Sequence, residues 1–103
     1  MPQVKITVLK RLLYQDIADE YRTGGNELCA LFAEGQEFMA EETGPYGPPK
    51  GFCPWAWDDI YKYFVALKQG GSFAADMKDD KTVIACCTDG VRPVIFKLER
   101  IDV

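Results

Sequence analysis

Cysteines are the residues of this chain best suited to chemistry, because its 103 residues include four cysteines and no histidine. A thiolate is both a nucleophile and a metal ligand, and without imidazole only thiolates and carboxylates can fill these roles near neutral pH. Cys53 lies at the predicted start of a helix, Cys86 and Cys87 are adjacent at the end of a predicted strand, and Cys29 stands alone. The sequence thus indicates where chemistry would take place, but not which reaction it would be.

Cys53 is the strongest candidate for a catalytic nucleophile. If Pro54 is the first helical residue, Cys53 occupies the N-cap, where unpaired backbone N–H groups and the helix dipole favour a thiolate. The neighbouring Trp55 and Trp57 would form a dry wall, and desolvation favours the neutral thiol instead. Ordinary core packing of a cysteine beside aromatic rings is the alternative.

The two adjacent cysteines fall at one end of a predicted hairpin. Two apolar runs, 82–87 and 92–101, indicate antiparallel strands. Because proline cannot donate a hydrogen bond to the ladder, Pro93 must fall in a non-hydrogen-bonded pair. A loop over residues 88–91 achieves this and places Cys86 opposite Pro93.

Cys86 and Cys87 point to opposite faces of this hairpin, since successive strand residues alternate. In the predicted register Cys87 shares a face with Val83 and Ala85 and lies opposite Arg92, whose guanidinium would favour a thiolate. Cys87 with Arg92 is therefore the second catalytic candidate, and Cys86 is the expected packing residue. A register shift of one residue reverses the two roles.

Metal binding is the other chemistry that these thiols permit. Zinc knuckles and iron–sulfur loops carry cysteine pairs roughly two to four residues apart, and no such pair occurs here. A zinc or iron–sulfur site would therefore have to be assembled by the fold from Cys29, Cys53 and Cys87, completed by Cys86 or Asp89. Structural packing of all four cysteines is the remaining interpretation.

Composition places the cysteines in one small domain, 1–103. An apolar content of 48% with 13% aromatic residues is far from disordered composition. We expect a cytoplasmic protein with reduced thiols and no membrane partner, because there is neither a secretory signal nor an apolar run approaching ~20 residues. The net charge of −4 makes nucleic acid an unlikely class of partner. The class of small molecule remains unknown.

The element that must position Cys53 is also the one most strongly predicted. A helix over 54–68 begins at a proline and ends before Gly70, and its apolar residues recur at helical spacing. Strands are predicted over 3–13 and 36–40, and Asp16 is predicted to cap a short helix between them. We therefore predict an α+β domain: a small, mostly antiparallel sheet or partly open barrel with one main helix, 54–68, packed on it.

Two segments resemble those of a known family. Residues 52–60, with Phe-Cys-Pro-Trp-Ala-Trp, and residues 86–100, with Cys-Cys-Thr-Asp-Gly-Val-Arg-Pro-Val, are similar to the hallmark segments of a small uncharacterised prokaryotic family of about this length. Residues 4–8 and 35–38 also look like that family. Since it has no assigned activity, the resemblance transfers no site residues. The family is common in anaerobes, which implies an oxygen-sensitive thiolate or metal site.

Three functional hypotheses follow. In the first, Cys53 with Cys87 and Cys29 forms a thiolate site for metal binding or redox chemistry. In the second, the chain is a non-enzymatic binding or assembly module with structural cysteines, and exposed aromatic residues and strand edges favour a homo-oligomer. In the third, by analogy with the barrels of pseudouridine-synthase-associated domains, basic terminal strands bind RNA, against the acidic charge balance.

Overall fold

The fold is an open antiparallel sheet covered on one face by a helix. The structure, a computed structural model, describes residues 2–24 and 26–102. Its elements are β1 (Gln3–Arg11), α1 (Gln15–Tyr21), β2 (Glu37–Met39), α2 (Pro54–Lys68), β3 (Thr82–Cys86) and β4 (Val94–Ile101). The strands form one sheet in the order β2-β1-β4-β3. The predicted α+β class and the helix over 54–68 are confirmed, and the sheet is open rather than closed into a barrel. Among the described residues, no helix is long and apolar enough to cross a membrane.

Alternation along the two central strands decides which face of the sheet is covered. Val4, Ile6 and Val8 of β1 are at most 1% exposed, and Phe96 and Leu98 of β4 are fully buried. These side chains form one core cluster with the inward face of α2. Complete burial of each such side chain contributes roughly 1.5–3 kcal/mol. This covered face is therefore the source of most of the fold's stability.

The opposite face of the sheet carries ion pairs instead. The Lys5 ammonium lies 3.4 Å from Glu37 and 3.5 Å from Glu99, and Lys97 lies 3.4 Å from Glu99. The nearby charges of Glu37 and Glu99 raise the pKa of Lys5 above its ordinary value. Exposed pairs of this kind are screened by salt and add little stability. Lys5 and Lys97 of the terminal strands thus have acidic partners on this face.

Helix α2 begins and ends where its sequence predicts. Cys53 is the N-cap with extended backbone angles (φ −62°, ψ 122°), and Pro54 is the first helical residue. The residues that α2 buries against the sheet are Ala56, Ile60, Phe64 and Leu67. At the other end, Nη1 of Arg100 donates to the carbonyls of Leu67 (2.9 Å) and Gly71 (2.8 Å). Arg100 of β4 therefore bonds the last turn of the helix and the segment just after it, and ties the C-terminal end of α2 to the sheet.

The loop that precedes Cys53 is held in place by contacts at both of its ends. Thr43 Oγ1 donates to the carbonyl of Pro48 at 2.8 Å. The largely buried Lys68, at the end of α2, forms a 2.7 Å ion pair with Glu41. These contacts fix the chain leading into the N-terminus of α2, and hence the position of Cys53.

The terminal hairpin has a longer loop than predicted. The loop spans 87–93 rather than 88–91, and Cys86 pairs with Ile95 rather than with Pro93. Pro93 lies outside the β3–β4 ladder, and its carbonyl accepts a 2.9 Å hydrogen bond from the N–H of Leu12, just after β1. This bond connects the loop after β3 to the end of β1.

The shift in register is of two residues, so the faces of β3 are unchanged. Cys87 lies on the covered side with Val83 and Ala85, as predicted, and Cys86 lies on the other side with Ile84. Across the ladder, however, Cys87 meets Val94, whose carbonyl accepts from the Cys87 N–H at 3.1 Å. The predicted cross-strand pairing of Cys87 with Arg92 is wrong.

Two element boundaries also differ from their predictions. Asp16 is not a cap, because the N-cap residue of α1 is Tyr14 and no side chain caps this helix. Strand β1 ends at Arg11 rather than at residue 13, although the N–H groups of Leu12 and Tyr14 still bond the carbonyls of Pro93 and Val91. The strand predicted over 36–40 is present as the shorter β2.

Candidate thiol pocket

A pocket of about 460 Å³ lies where the start of α2, the loop after β3 and the segment before β2 meet. Its volume falls within the roughly 300–1,000 Å³ typical of small-molecule sites. Three of the four cysteines line it, namely Cys29, Cys53 and Cys87. Its charged lining residues are Asp89 and Arg92, and its apolar ones are Leu31, Phe32, Trp55, Ala56 and Val94.

Each of the three thiols comes from a different part of the fold. Cys53 is the N-cap of α2, and Cys87 is the first residue after β3. Cys29 belongs to the irregular segment between α1 and β2, which Arg11 holds through a 3.1 Å hydrogen bond to the Cys29 carbonyl. A 2.8 Å ion pair of Arg11 with Glu34 holds the same segment. All three cysteines are partly exposed and free of disulfides. The structure therefore brings together the three cysteines that the first hypothesis grouped.

Cys86 does not line this pocket. It is exposed and lies in a second, shallower depression along β3, which Asp59, Lys62 and Thr88 also line. Its thiol is 3.0 Å from the carbonyl of Cys87. Partial burial, and then the nearby Cys87 and Asp59, raise the pKa of Cys86 above its ordinary value. The remaining thiol thus lies outside the pocket that the other three line, and its raised pKa disfavours the thiolate.

The described residues do not fit a metal centre. Within residues 2–24 and 26–102, no group of three or more cysteine, aspartate or glutamate side chains is placed to hold a metal ion. Asp89, the predicted completing ligand, has Oδ1 occupied by the N–H groups of Val91 (2.9 Å) and Arg92 (2.8 Å). Cys86, the other predicted completing ligand, faces away. The chemistry that this pocket offers is that of thiols and of its two charged side chains.

Arg92 and Asp89 give the pocket its charge. Arg92 Nε lies 3.6 Å from Asp89 Oδ2, close enough for an ion pair but too far for a hydrogen bond. That Nε atom is buried, and no described residue accepts a hydrogen bond from it. Burial opposes ionisation of Asp89, but the N–H groups of Arg92 and Val91 and the Arg92 charge together hold its pKa below the ordinary value. The site therefore contains an ionised carboxylate and a guanidinium with an unused buried donor.

Two exposed apolar side chains form the rim of the pocket. Trp55 is 68% exposed and Leu31 is 67% exposed. The indole Nε1 of Trp55 donates to Thr88 Oγ1 at 2.9 Å, and Asp59 Oδ2 accepts from the Thr88 N–H at 2.7 Å. These bonds connect the first turns of α2 to the loop after β3 and hold the indole at the pocket mouth.

Sequence reasoning missed this rim. The sequence presented Trp55 only as a wall beside Cys53. The available signal was the position of Trp55 in the first turn of α2, next to the candidate nucleophile. Nothing in the sequence links Thr88 or Leu31 to that turn, because both reach it only through the tertiary fold.

Comparisons of the chain with protein-family models, with curated proteins and with solved structures find no match. The resemblance of residues 52–60 and 86–100 to a prokaryotic family therefore stays a prediction. The evidence for function therefore comes from the residues of the pocket.

Proposed function

We propose that this protein carries a thiol redox site that acts on a small, largely apolar substrate. The single observation that supports it is the shared pocket of Cys29, Cys53 and Cys87, which three separate parts of the chain supply. Isolated buried cysteines are common as core filler. Cys29, Cys53 and Cys87 pack against the core, but each also keeps exposed surface and lines one cavity of ligand size, which core filling alone does not require.

Cys53 is the proposed attacking thiol because of its place on α2. No side chain caps this helix, and its first residue is a proline. The N–H groups that remain in the first turn and the helix dipole stabilise negative charge at the N-cap. Only the thiolate form of cysteine is a good nucleophile. Cys87 or Cys29, on the same pocket, is the proposed resolving thiol.

The proposed reaction is exchange with a small disulfide, RSSR. The Cys53 thiolate attacks one sulfur, the S–S bond of the substrate breaks, and RS⁻ leaves as a mixed disulfide forms. A second thiolate, from Cys87 or Cys29, then attacks Cys53 Sγ and releases the second RS⁻. The protein dithiol is oxidised to a disulfide, and the two protons that it gives up protonate the released thiolates. Small thiols reverse the same steps.

Treating the folded protein with hydroxyethyl disulfide tests this proposal. We expect peptide mass spectrometry to find a protein disulfide that contains Cys53, joined to Cys87 or Cys29, and we expect Cys53→Ser to abolish it. The matched control is Cys86→Ser, which removes a thiol outside the pocket and leaves the disulfide intact. Four thiols that react only after denaturation, or a disulfide that requires Cys86, would contradict the proposal.

A second candidate function is assembly with further copies of the chain. It is supported by large exposed apolar side chains concentrated in residues 14–31, including Tyr14, Ile17 and Tyr21 on one stripe of α1. We expect Tyr21→Glu to lower the mass measured by sedimentation, and Ile84→Glu, on the uncovered face of β3, to leave that mass unchanged. A wild-type chain that sediments as a monomer at all concentrations would exclude this candidate.

A further inference from the structure

Arg92 provides an unused hydrogen-bond donor at the pocket. Its Nε is buried, and no described residue accepts from it. The nearest carboxylate oxygen, Asp89 Oδ2, lies 3.6 Å away, and Oδ1 of the same carboxylate is occupied by two backbone N–H groups. A buried donor left without an acceptor is costly, and native structures rarely tolerate it. Nε itself is closed to a ligand, so an acceptor would meet the part of the Arg92 side chain that stays exposed, 27% of its surface, at the pocket.

The same pocket has walls that suit an apolar body. Phe32, Ala56 and Val94 form its inner wall, and Trp55 and Leu31 form its rim. The hydrogen bond from Trp55 to Thr88 fixes the indole in place before any ligand arrives. An apolar group in this volume would be covered by side chains, and its charged end would meet Arg92.

We infer that the substrate of the thiol site is a small, largely apolar disulfide that carries a carboxylate, and that this carboxylate pairs with the Arg92 guanidinium. The reaction of this substrate rests on the proposed redox function, whereas its binding at Arg92 does not. A guanidinium binds carboxylates through a planar fork of N–H donors. Among the pocket residues, the positive charge of Arg92 stands beside the negative charge of Asp89. A carboxylate with a single charge therefore suits the site better than a doubly charged phosphate.

Alkylation of Cys53 by two matched reagents tests the inference. Iodoacetate is an anion, iodoacetamide is its neutral analogue of nearly equal size, and both react with the thiolate. The ratio of their rates at Cys53 therefore cancels the thiolate fraction and reports attraction of the carboxylate. We expect Arg92→Gln to lower this ratio about fivefold, the factor that a unit charge at ~4 Å gives even at the dielectric constant of water. Arg92→Lys keeps the positive charge, and its rate ratio should lie between those of wild type and Arg92→Gln.

Two internal controls accompany this measurement. Cys86 lies outside the pocket, so its ratio in the same protein molecules should not change with Arg92→Gln. Lys97→Gln removes one positive charge from the far face of β4 and should leave the Cys53 ratio unchanged. Added salt should lower the wild-type ratio at Cys53, which tests the same attraction without any substitution.

The possible results separate the two proposals. An equal Cys53 ratio in wild type and Arg92→Gln, with no response to salt, would overturn the carboxylate inference and leave the redox proposal intact. A ratio that depends on Arg92 without disulfide formation by hydroxyethyl disulfide would support the carboxylate site and overturn the redox step. Failure of both reagents to label Cys53 in the folded protein would overturn both.

Discussion

Cys86 and Cys87 are neighbours in the chain, yet they lie in different environments. Cys87 borders an apolar pocket together with two further thiols and Arg92. Cys86 lies in a shallower depression beside Asp59 and Lys62, and its pKa is raised by burial and by neighbouring negative charge. The strand period of two residues produces this difference. The alternation of side chains along β3, rather than residue type, therefore decides which thiol lines the pocket.

The largest effect expected from this comparison is on disulfide formation. In a variant with both Cys29→Ser and Cys87→Ser, we expect hydroxyethyl disulfide to leave Cys53 as a persistent mixed disulfide, because no resolving thiol remains in the pocket. Mass spectrometry of the intact protein would detect the retained adduct. A protein disulfide between Cys53 and Cys86 in that variant would show that the two sides of β3 are not separated as described.

The next largest effect is a difference in unfolding free energy between substitutions on the two faces of β4. Phe96→Ala removes a fully buried ring from the covered face and should lower the free energy of unfolding by ~3–5 kcal/mol. Lys97→Ala, one residue later on the uncovered face, should change it by less than ~0.5 kcal/mol. Urea unfolding measures both changes. Similar losses in the two variants would contradict the assignment of the faces.

A smaller effect concerns Thr88, which connects the two sides of β3 through Trp55 and Asp59. Thr88→Val removes the acceptor for the Trp55 indole and one partner of the Asp59 carboxylate, and should cost about 1–2 kcal/mol of unfolding free energy. Tryptophan fluorescence should also change, since the indole loses its hydrogen bond at the pocket mouth. Thr82→Val, at the far end of β3, removes a hydroxyl that bonds Asp79 and no tryptophan, and serves as the control for the fluorescence change. An unchanged spectrum for Thr88→Val would mean that this bond does not hold the rim in solution.

The smallest expected effect is the pH dependence of the loop after β3. The folded state lowers the pKa of Asp89, so the stability contributed by its carboxylate is present above its ordinary pKa of ~3.9 and is lost as the pH falls through the lower folded value. We therefore expect wild type to exceed Asp89→Asn in unfolding free energy at neutral pH. The difference should shrink on acidification below about pH 4. A difference that is constant with pH would show that the Asp89 charge does not stabilise the loop.

Local rules were enough to predict much of the scaffold. The bounds of α2 follow from Pro54 at its first position and Gly70 beyond its end, both of which act within one turn of the helix. The faces of Cys86 and Cys87 follow from strand alternation. The predicted register was wrong by two residues, but a shift of two keeps every side chain on the same face. The grouping of Cys29 with Cys53 and Cys87 was only a hypothesis, since nothing local joins them.

The sequence by itself therefore determined the type of each long element and the side to which its residues point, because these depend on neighbours a few positions apart. Only the tertiary structure decided which thiols share a pocket. That outcome depends on bonds between distant residues: Arg11 to the Cys29 carbonyl, Leu12 to Pro93 and Trp55 to Thr88. Each of these bonds forms only when the folded core brings its two partners together, so no local pattern contains them.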